Sequence, residues 1–185
     1  MKILLAFIVF MMFSVSANAG HFTEAQNTVV RAIVRAEPTL AAAVHTGGDT
    51  TIAAWLNADQ SPPYYVWKTS MSRHDILTAQ SVDGTVFTWA GTGYISRSQG
   101  ERDAFRELFN STGSVVPTAP NVIAAFNDIF SGAGGAANRA HVTSIGKRTA
   151  RRIEAILAVG AGTLLSPSTM TVEGTVSIDE AGRMR

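Results

Sequence analysis

Apolar and polar positions follow a helical period along much of the chain, most clearly from Ala137 to Val159. At about 100° per residue, the apolar side chains of this stretch fall on one arc and the basic side chains on a neighbouring arc. The pattern predicts one long amphipathic helix with a core-facing stripe and a cationic stripe. Asn138 is the expected N-cap of this helix and Gly160 its expected end. The cationic stripe contains Lys147, Arg148, Arg151 and Arg152.

Shorter helices are predicted before this stretch. Two of these helices are predicted to begin at capping boxes, Thr23 with Gln26 and Ser98 with Glu101. In each box the hydroxyl can accept a hydrogen bond from the backbone amide three residues later. Pro120 suits the first turn of another. The predicted helices cover residues 22–36, 40–44, 49–57, 72–77, 98–109 and 120–130.

Two segments read as extended. Residues 64–69 are aromatic and β-branched, and residues 170–178 alternate between apolar and polar positions. A lone C-terminal strand would need a partner, either the region near Val66 or another subunit. We therefore treat it as a candidate assembly strand, formed by Met170, Val172, Val176 and Ile178. Residues 80–95 fit a hairpin or an irregular loop.

The predicted fold class is mainly α. It is a helical domain built around one long amphipathic helix, with a minor β component formed by the extended segment near 64–69 and the C-terminal strand 170–178. We expect residues 20–185 to form a single domain, since this length suits one hydrophobic core.

Residues 1–19 are set apart from this domain. Lys2 precedes an apolar run from Ile3 to Phe13, and an A-x-A site at Ala17 to Ala19 comes before Gly20. This pattern is typical of a secretory signal peptide. The run is short for a membrane anchor. The other explanation is a start codon assigned too far upstream.

Composition limits the function classes. The chain has 46% hydrophobic residues, only 16% charged residues and no cysteine. Disulfides and thiol chemistry are therefore excluded. The net charge is +1, and it becomes 0 without Lys2 of the leader, so a general coat for nucleic acid is not expected. Low charge suits a protein that covers much of its surface in an assembly.

No catalytic or cofactor motif stands out. The four histidines have no metal-ligand spacing, and neither a nucleophile elbow nor a phosphate-binding loop is present. We expect no metal, no cofactor and no enzymatic activity. Trp55, Trp67 and Trp89 could line a sugar or peptide groove, but core packing is the more ordinary role.

The cationic stripe has two interpretations. A basic helix face is usually just solvated. The sharper hypothesis is an anionic-partner face, formed by Lys147, Arg148, Arg151 and Arg152, that contacts DNA or an acidic protein surface.

Several sequence blocks carry a resemblance to a known family. The early helix has Thr-Glu-Ala-Gln at residues 23–26, and residues 61–69 read Ser-Pro-Pro-Tyr-Tyr-Val-Trp-Lys-Thr. Further blocks are residues 72–76, 120–122, 147–154, 160–163, 167–170 and 173–174. In order and spacing they resemble a family of small tailed-bacteriophage proteins encoded beside the capsid genes. Residues 78–105 depart from the tryptophan-rich stretch of that family, and the leader has no counterpart in it.

The resemblance implies a virion structural protein of the head-completion or neck type, a connector between head and tail. It implies assembly in the host cytoplasm as a homo-oligomeric ring, with portal, capsid or tail subunits as partners and no membrane contact after removal of the leader. The basic helix would then face DNA or an acidic subunit. The alternative is a small secreted or periplasmic binding protein, exported by the leader. A small secreted hydrolase has the least support, because no nucleophile–base pair is visible.

Overall fold

A computed structural model describes residues 22–110 and 112–185; the leader predicted at residues 1–19 lies outside the described residues. Within these ranges the chain is mainly helical, which confirms the predicted class. The helices are α1 (Glu24–Ala36), α2 (Ala41–Thr46), α3 (Asp49–Asn57), α4 (Arg73–Thr78), α5 (Gln99–Glu107), α6 (Pro120–Ile129), α7 (Gly132–Ile145), α8 (Arg152–Leu157) and α9 (Ile178–Arg183). The strands are β1 (Tyr65–Trp67), β2 (Met71–Ser72), β3 (Ser114–Val115) and β4 (Lys147–Thr149).

Local caps start several of these helices. A capping box satisfies two backbone amides at once, so a helix with one begins at a defined residue. The two predicted boxes are confirmed, and a serine opens α4 and α9 in the same way. The boxes pair Thr23 with Gln26, Ser72 with Asp75, Ser98 with Glu101 and Ser177 with Glu180.

Two hydrophobic clusters organise the packing. The first core lies between α4, α5, α6, α7 and the loop around Phe87, and it is rich in aromatic rings that meet edge-on. The second core lies between α1, α2, α3, α8 and α9. None of the helices in the described ranges is long and apolar enough to cross a bilayer.

The β1–β4 pair joins these two regions along the chain, since α7 leads into β4 and α8 follows it. The strands are antiparallel, with Tyr65 opposite Thr149, Val66 opposite Arg148 and Trp67 opposite Lys147. Val66 is completely buried. The extended segment predicted near residues 64–69 is confirmed over Tyr65–Trp67. A second antiparallel pair joins β2 to β3.

The prediction of one long helix over residues 137–159 is wrong. The helix α7 begins earlier, at Gly132, and ends at Ile145, after which β4 and the short helix α8 follow. A Cβ on Gly146 would lie 2.8 Å from Cβ of Pro117, so the chain turns where two segments pack closely. The next residues form β4, and their backbone groups make hydrogen bonds with those of β1. Helical period alone cannot reveal a partner 80 residues away.

The predicted N-cap of this helix is also wrong. Asn138 lies inside α7 and is buried. Its side chain accepts from the amide of Thr88 at 2.8 Å and donates to the carbonyl of Thr88 at 2.9 Å. Asn138 therefore fastens an irregular loop to α7. That loop, residues 79–93, is irregular with turns at 82–83 and 91–92, and the hairpin alternative for this region is not observed.

The C-terminal strand predicted over residues 170–178 is wrong as well. Residues 170–177 are irregular, and Ile178 is the first residue of α9. The backbone of Val176 is satisfied by a side chain: its amide donates to Oδ1 of Asn57 at 2.7 Å, and its carbonyl accepts from Nδ2 of Asn57 at 2.9 Å. Asn57 thus takes the place of a strand partner. Val176 is buried in the second core, whereas Ile178 is 53% exposed.

Candidate functional site

The four predicted cations do not share one helical stripe. Lys147 and Arg148 lie in β4, and Arg151 and Arg152 lie where α8 begins. Because successive residues of a strand point to opposite faces, Lys147 and Arg148 diverge. The basic segment is therefore a turn of chain that joins a strand to a helix, and each cation has its own surroundings.

Arg148 is held by two carboxylates. Its Nη1 lies 2.7 Å from Oε2 of Glu154, and its Nη2 lies 2.8 Å from Oε1, so the pair is bidentate. Nη2 also lies 3.3 Å from Oε1 of Glu173. Glu173 in turn accepts a hydrogen bond from the hydroxyl of Thr69, beyond β1. We call Arg148, Glu154 and Glu173 the ionic node.

Glu154 is the centre of the ionic node. Only 1% of the residue is exposed. Its carboxylate accepts from the amide of Arg151 at 2.9 Å and from the amide of Gly174 at 3.2 Å. One buried side chain therefore caps α8, pairs with β4 and anchors the loop after residue 170.

The protonation of this pair follows from these contacts. Burial alone raises the pKa of the Glu154 carboxyl, but the hydrogen bonds from Arg148 and from the amides of Arg151 and Gly174 outweigh it and lower that pKa. The hydrogen bond to Glu154 raises the pKa of Arg148 against the opposing effect of burial. Both groups are therefore charged at neutral pH, which a buried carboxylate tolerates only when its lone pairs are filled.

The other cations pack on aromatic rings. The guanidinium of Arg152 lies 4.3 Å from the centroid of Trp55 and donates to the carbonyl of Trp55 at 2.9 Å. The ammonium of Lys147 lies 5.5 Å from the centroid of Trp67. Cation–π contacts of this kind attract modestly when they are partly exposed. Arg151 forms no salt bridge with any residue in the described ranges.

The residues of the predicted assembly strand do not form a strand, and of the four only Met170 is seen in contact with the ionic node among the described residues. The sulfur of Met170 lies 3.0 Å from Nη2 of Arg148. Val172 is half-buried, Val176 is buried, and Ile178 begins α9.

A second polar cluster was not predicted from the sequence. Ser81, Asp83, Thr85 and His141 are linked by hydrogen bonds, with Oγ of Ser81 2.5 Å from Oδ1 of Asp83 and 2.6 Å from Oγ1 of Thr85. Burial raises the pKa of Asp83, but the hydrogen bonds from Ser81 and Thr85 outweigh it and lower that pKa. The imidazole of His141 is completely buried.

Hydroxyl, imidazole and carboxylate groups are the components of nucleophilic catalysis. Here Nε2 of His141 lies 2.8 Å from the carbonyl oxygen of Ile76, and Nδ1 lies 3.3 Å from Oγ1 of Thr85. Both ring nitrogens are therefore occupied within the protein. The cluster has the geometry of a network that fixes the 79–93 loop against α4 and α7. In the sequence, only the Ser-x-Asp-x-Thr spacing of a local turn could have indicated it.

Among the described residues, no group of three or more histidine, aspartate or glutamate side chains is placed to hold a metal ion. The tryptophans do not share a groove: Trp55 and Trp67 lie under cations, and Trp89 packs against Phe87 and Tyr94. Comparisons of the chain with family models, with curated proteins and with solved structures find no match.

Proposed function

We propose that this chain is a bacteriophage virion structural protein, a head-completion or head–tail connector component of the neck that acts by oligomeric assembly rather than by catalysis. The proposal starts from the series of sequence blocks that resemble the capsid-adjacent phage family. The observation that carries it is the place where these blocks meet. Blocks that are far apart in the sequence lie around the ionic node and the β1–β4 pair.

The contacts between blocks are specific. The 61–69 block supplies β1, and the 147–154 block supplies β4 together with Arg148 and Glu154. The 173–174 block contributes Glu173 to the ion pair and the Gly174 amide to Glu154. The 167–170 block bonds β1 through Ser168, whose amide donates to the carbonyl of Tyr65 at 2.9 Å. These four blocks therefore form one contact network, whereas residues 23–26, 72–76 and 120–122 lie at the starts of α1, α4 and α6.

The exposed surface also favours assembly. Large apolar side chains are exposed in several places, including the 80–97 region, the loop after α8 and the outer face of α1. Single exposed apolar residues are ordinary, but groups of them usually mark an interaction surface. The exposed members of these three groups are Val29, Ile33, Val82, Val86, Trp89, Ile95, Val159 and Leu165.

The alternative is a small secreted or periplasmic binding protein, and the leader is the feature that favours it. A binding groove lined by tryptophans has no support, because the three rings have separate partners. The two proposals differ in where the chain starts and where it accumulates. In the first, the protein assembles in the host cytoplasm and ends in the virion.

The test is the intact mass and the native mass of the protein expressed from its natural start region. We expect a cytoplasmic chain that begins downstream of the leader and forms a closed ring. A periplasmic chain that begins at Gly20 and stays monomeric at high concentration would overturn the proposal in favour of the alternative. Cell fractionation followed by native mass spectrometry supplies both results in one preparation.

A further inference from the structure

The most exposed large apolar side chain among the described residues is Leu165, at 95% exposure. It lies in the loop between α8 and α9, at the corner of a tight turn. The amide of Thr163 donates to the carbonyl of Ser166 at 3.1 Å, and the amide of Ser166 donates to Oγ1 of Thr163 at 3.0 Å. The turn closes on itself and leaves the leucine pointing away from the protein.

The base of this turn is fastened to the body of the protein. Gly162 has φ +65°, and a Cβ at this position would lie 2.0 Å from Cε2 of Tyr64, so the ring of Tyr64 packs directly on the glycine. The hydroxyl of Tyr64 lies 2.7 Å from Oγ of Ser168. The ammonium of Lys147 donates to the carbonyl of Leu164 at 2.9 Å. We call the turn, residues 163–166, the leucine knob.

A complementary surface exists elsewhere on the same chain. Helices α5 and α6 border a shallow, largely open cavity of about 400 Å³ beside the first core. Its wall is apolar, and two carboxylates, Glu107 and Asp128, lie at its rim. The apolar wall is formed by Ala104, Leu108, Ala125 and Ile129.

The knob and the cavity are complementary in polarity and in charge. An exposed leucine is suited to an apolar cavity, and Lys147 at the base of the knob is opposite in sign to Glu107 and Asp128 at the rim. The knob follows α8, whereas the cavity lies between α5 and α6. A contact between two different surfaces of identical copies is heterologous, and repetition of such a contact closes a ring or continues as a filament.

We propose that Leu165 of one copy inserts into the α5–α6 cavity of the next copy, and that this contact builds the ring. The inference rests on the proposed function, because it names the contact through which the proposed assembly forms. The occupant of the cavity is therefore a second copy of this chain. Preorganisation of the turn by Tyr64 and Lys147 lowers the entropic cost of the contact.

The experiment uses three variants of the full chain and native mass spectrometry over a concentration series. Leu165→Asp removes the knob, and Ala104→Arg places a long side chain across the cavity, where its charge can pair with the rim carboxylates. Val116→Asp is the matched control, because it also replaces an exposed apolar residue, 49% exposed, in the loop between β3 and α6, outside the three exposed apolar groups. Melting temperature verifies that each variant is folded.

We expect Leu165→Asp and Ala104→Arg each to weaken assembly at least about tenfold, and Val116→Asp to assemble like the wild type. A mixture of the two assembly-deficient variants should form a 1:1 dimer and nothing larger. In that pair, the intact knob of the Ala104→Arg copy meets the intact cavity of the Leu165→Asp copy.

Other outcomes separate this inference from the proposed function. If the wild type forms a ring and Leu165→Asp forms the same ring, the knob contact is overturned and the proposed function stands. If the mixture gives no 1:1 dimer although each variant alone is monomeric, the knob of one copy does not bind the cavity of the other, and the proposed contact is overturned. A wild type that is monomeric throughout overturns the ring and the contact with it.

Discussion

Arg148 and Glu154 form a bidentate ion pair between β4 and α8, with N–O distances of 2.7 and 2.8 Å. The carboxylate is buried, and the guanidinium is only a quarter exposed. Such a pair offers little net stability relative to an apolar substitute, but removal of one partner leaves a buried charge without compensation. Because Glu154 also accepts hydrogen bonds from the amides of Arg151 and Gly174, this contact links β4, the start of α8 and the 170–176 segment.

The first prediction concerns Glu154→Gln. The substitution preserves size but removes the charge that faces Arg148, so we expect the free energy of unfolding to fall by about 3–5 kcal/mol. Asp103→Asn is the control, because it breaks an exposed pair with Arg106 and should cost less than about 1 kcal/mol. Urea denaturation measures both. Equal losses in the two variants would contradict the central role of Glu154.

A double-mutant cycle extends this test. Glu154→Gln leaves the Arg148 cation without its buried partner. Arg148→Met removes that cation as well. We therefore expect the double variant to be clearly more stable than the sum of the two single losses predicts. Additive losses, measured by the same urea denaturation, would mean that the two side chains stabilise the fold independently.

The second prediction is a pH dependence of stability. Because the pKa of Glu154 is lowered in the folded protein, its contribution is present above the ordinary glutamate pKa, about 4.3, and is lost as the pH falls through the lowered value. The stability difference between the wild type and Glu154→Gln should therefore shrink as the pH is reduced from 7 toward 3. Urea denaturation at several pH values measures it. A difference that stays constant with pH would refute the assignment.

The third prediction concerns Gly162, where the ring of Tyr64 occupies the place of a side chain. Gly162→Ala introduces both a clash and an unfavourable positive φ, and we expect a loss of about 1–3 kcal/mol. Gly100→Ala is the matched control. Gly100 lies within α5 with open space around it, so alanine there should stabilise the protein by up to about 1 kcal/mol. Thermal unfolding of both variants gives the comparison, and a harmless Gly162→Ala would show that the loop is not packed on Tyr64.

Local signals in the sequence were sufficient to predict several helix starts. The hydroxyl at Thr23 or Ser98 bonds an amide three residues on, so its effect does not depend on the rest of the fold. The aromatic and β-branched run at residues 65–67 likewise forms a strand. The same rule would have placed a helix start at Ser177 with Glu180, but the apolar alternation before it favoured a strand.

Long-range partners explain the features that were predicted wrongly. The helical period continues beyond Gly146, yet pairing with β1 takes the chain out of the helix. The alternation at residues 170–178 resembles a strand, yet Asn57 satisfies Val176 from α3. The positions of the basic residues were visible in the sequence, but the burial of Glu154 opposite Arg148 was not, since nothing local distinguishes it from a surface glutamate.

The last prediction separates the two partners proposed for the basic segment. The charge of Arg148 is matched by Glu154 and Glu173, whereas Arg151 has no salt bridge in the described ranges, so Arg151 should contribute more to the attraction of an anion. If DNA is the partner, binding of a duplex should weaken with salt, and Arg151→Gln should reduce the slope of log K against log salt by about 1.

Fluorescence anisotropy between 50 and 200 mM salt, the range over which phosphate contacts weaken strongly, measures the slope. Arg106→Gln is the control, because Arg106 lies on α5, pairs with Asp103 and should leave the slope unchanged. A flat salt dependence of the wild type would exclude DNA. Two interpretations of the basic segment would then remain, an acidic protein surface as its partner and an ordinary solvated face.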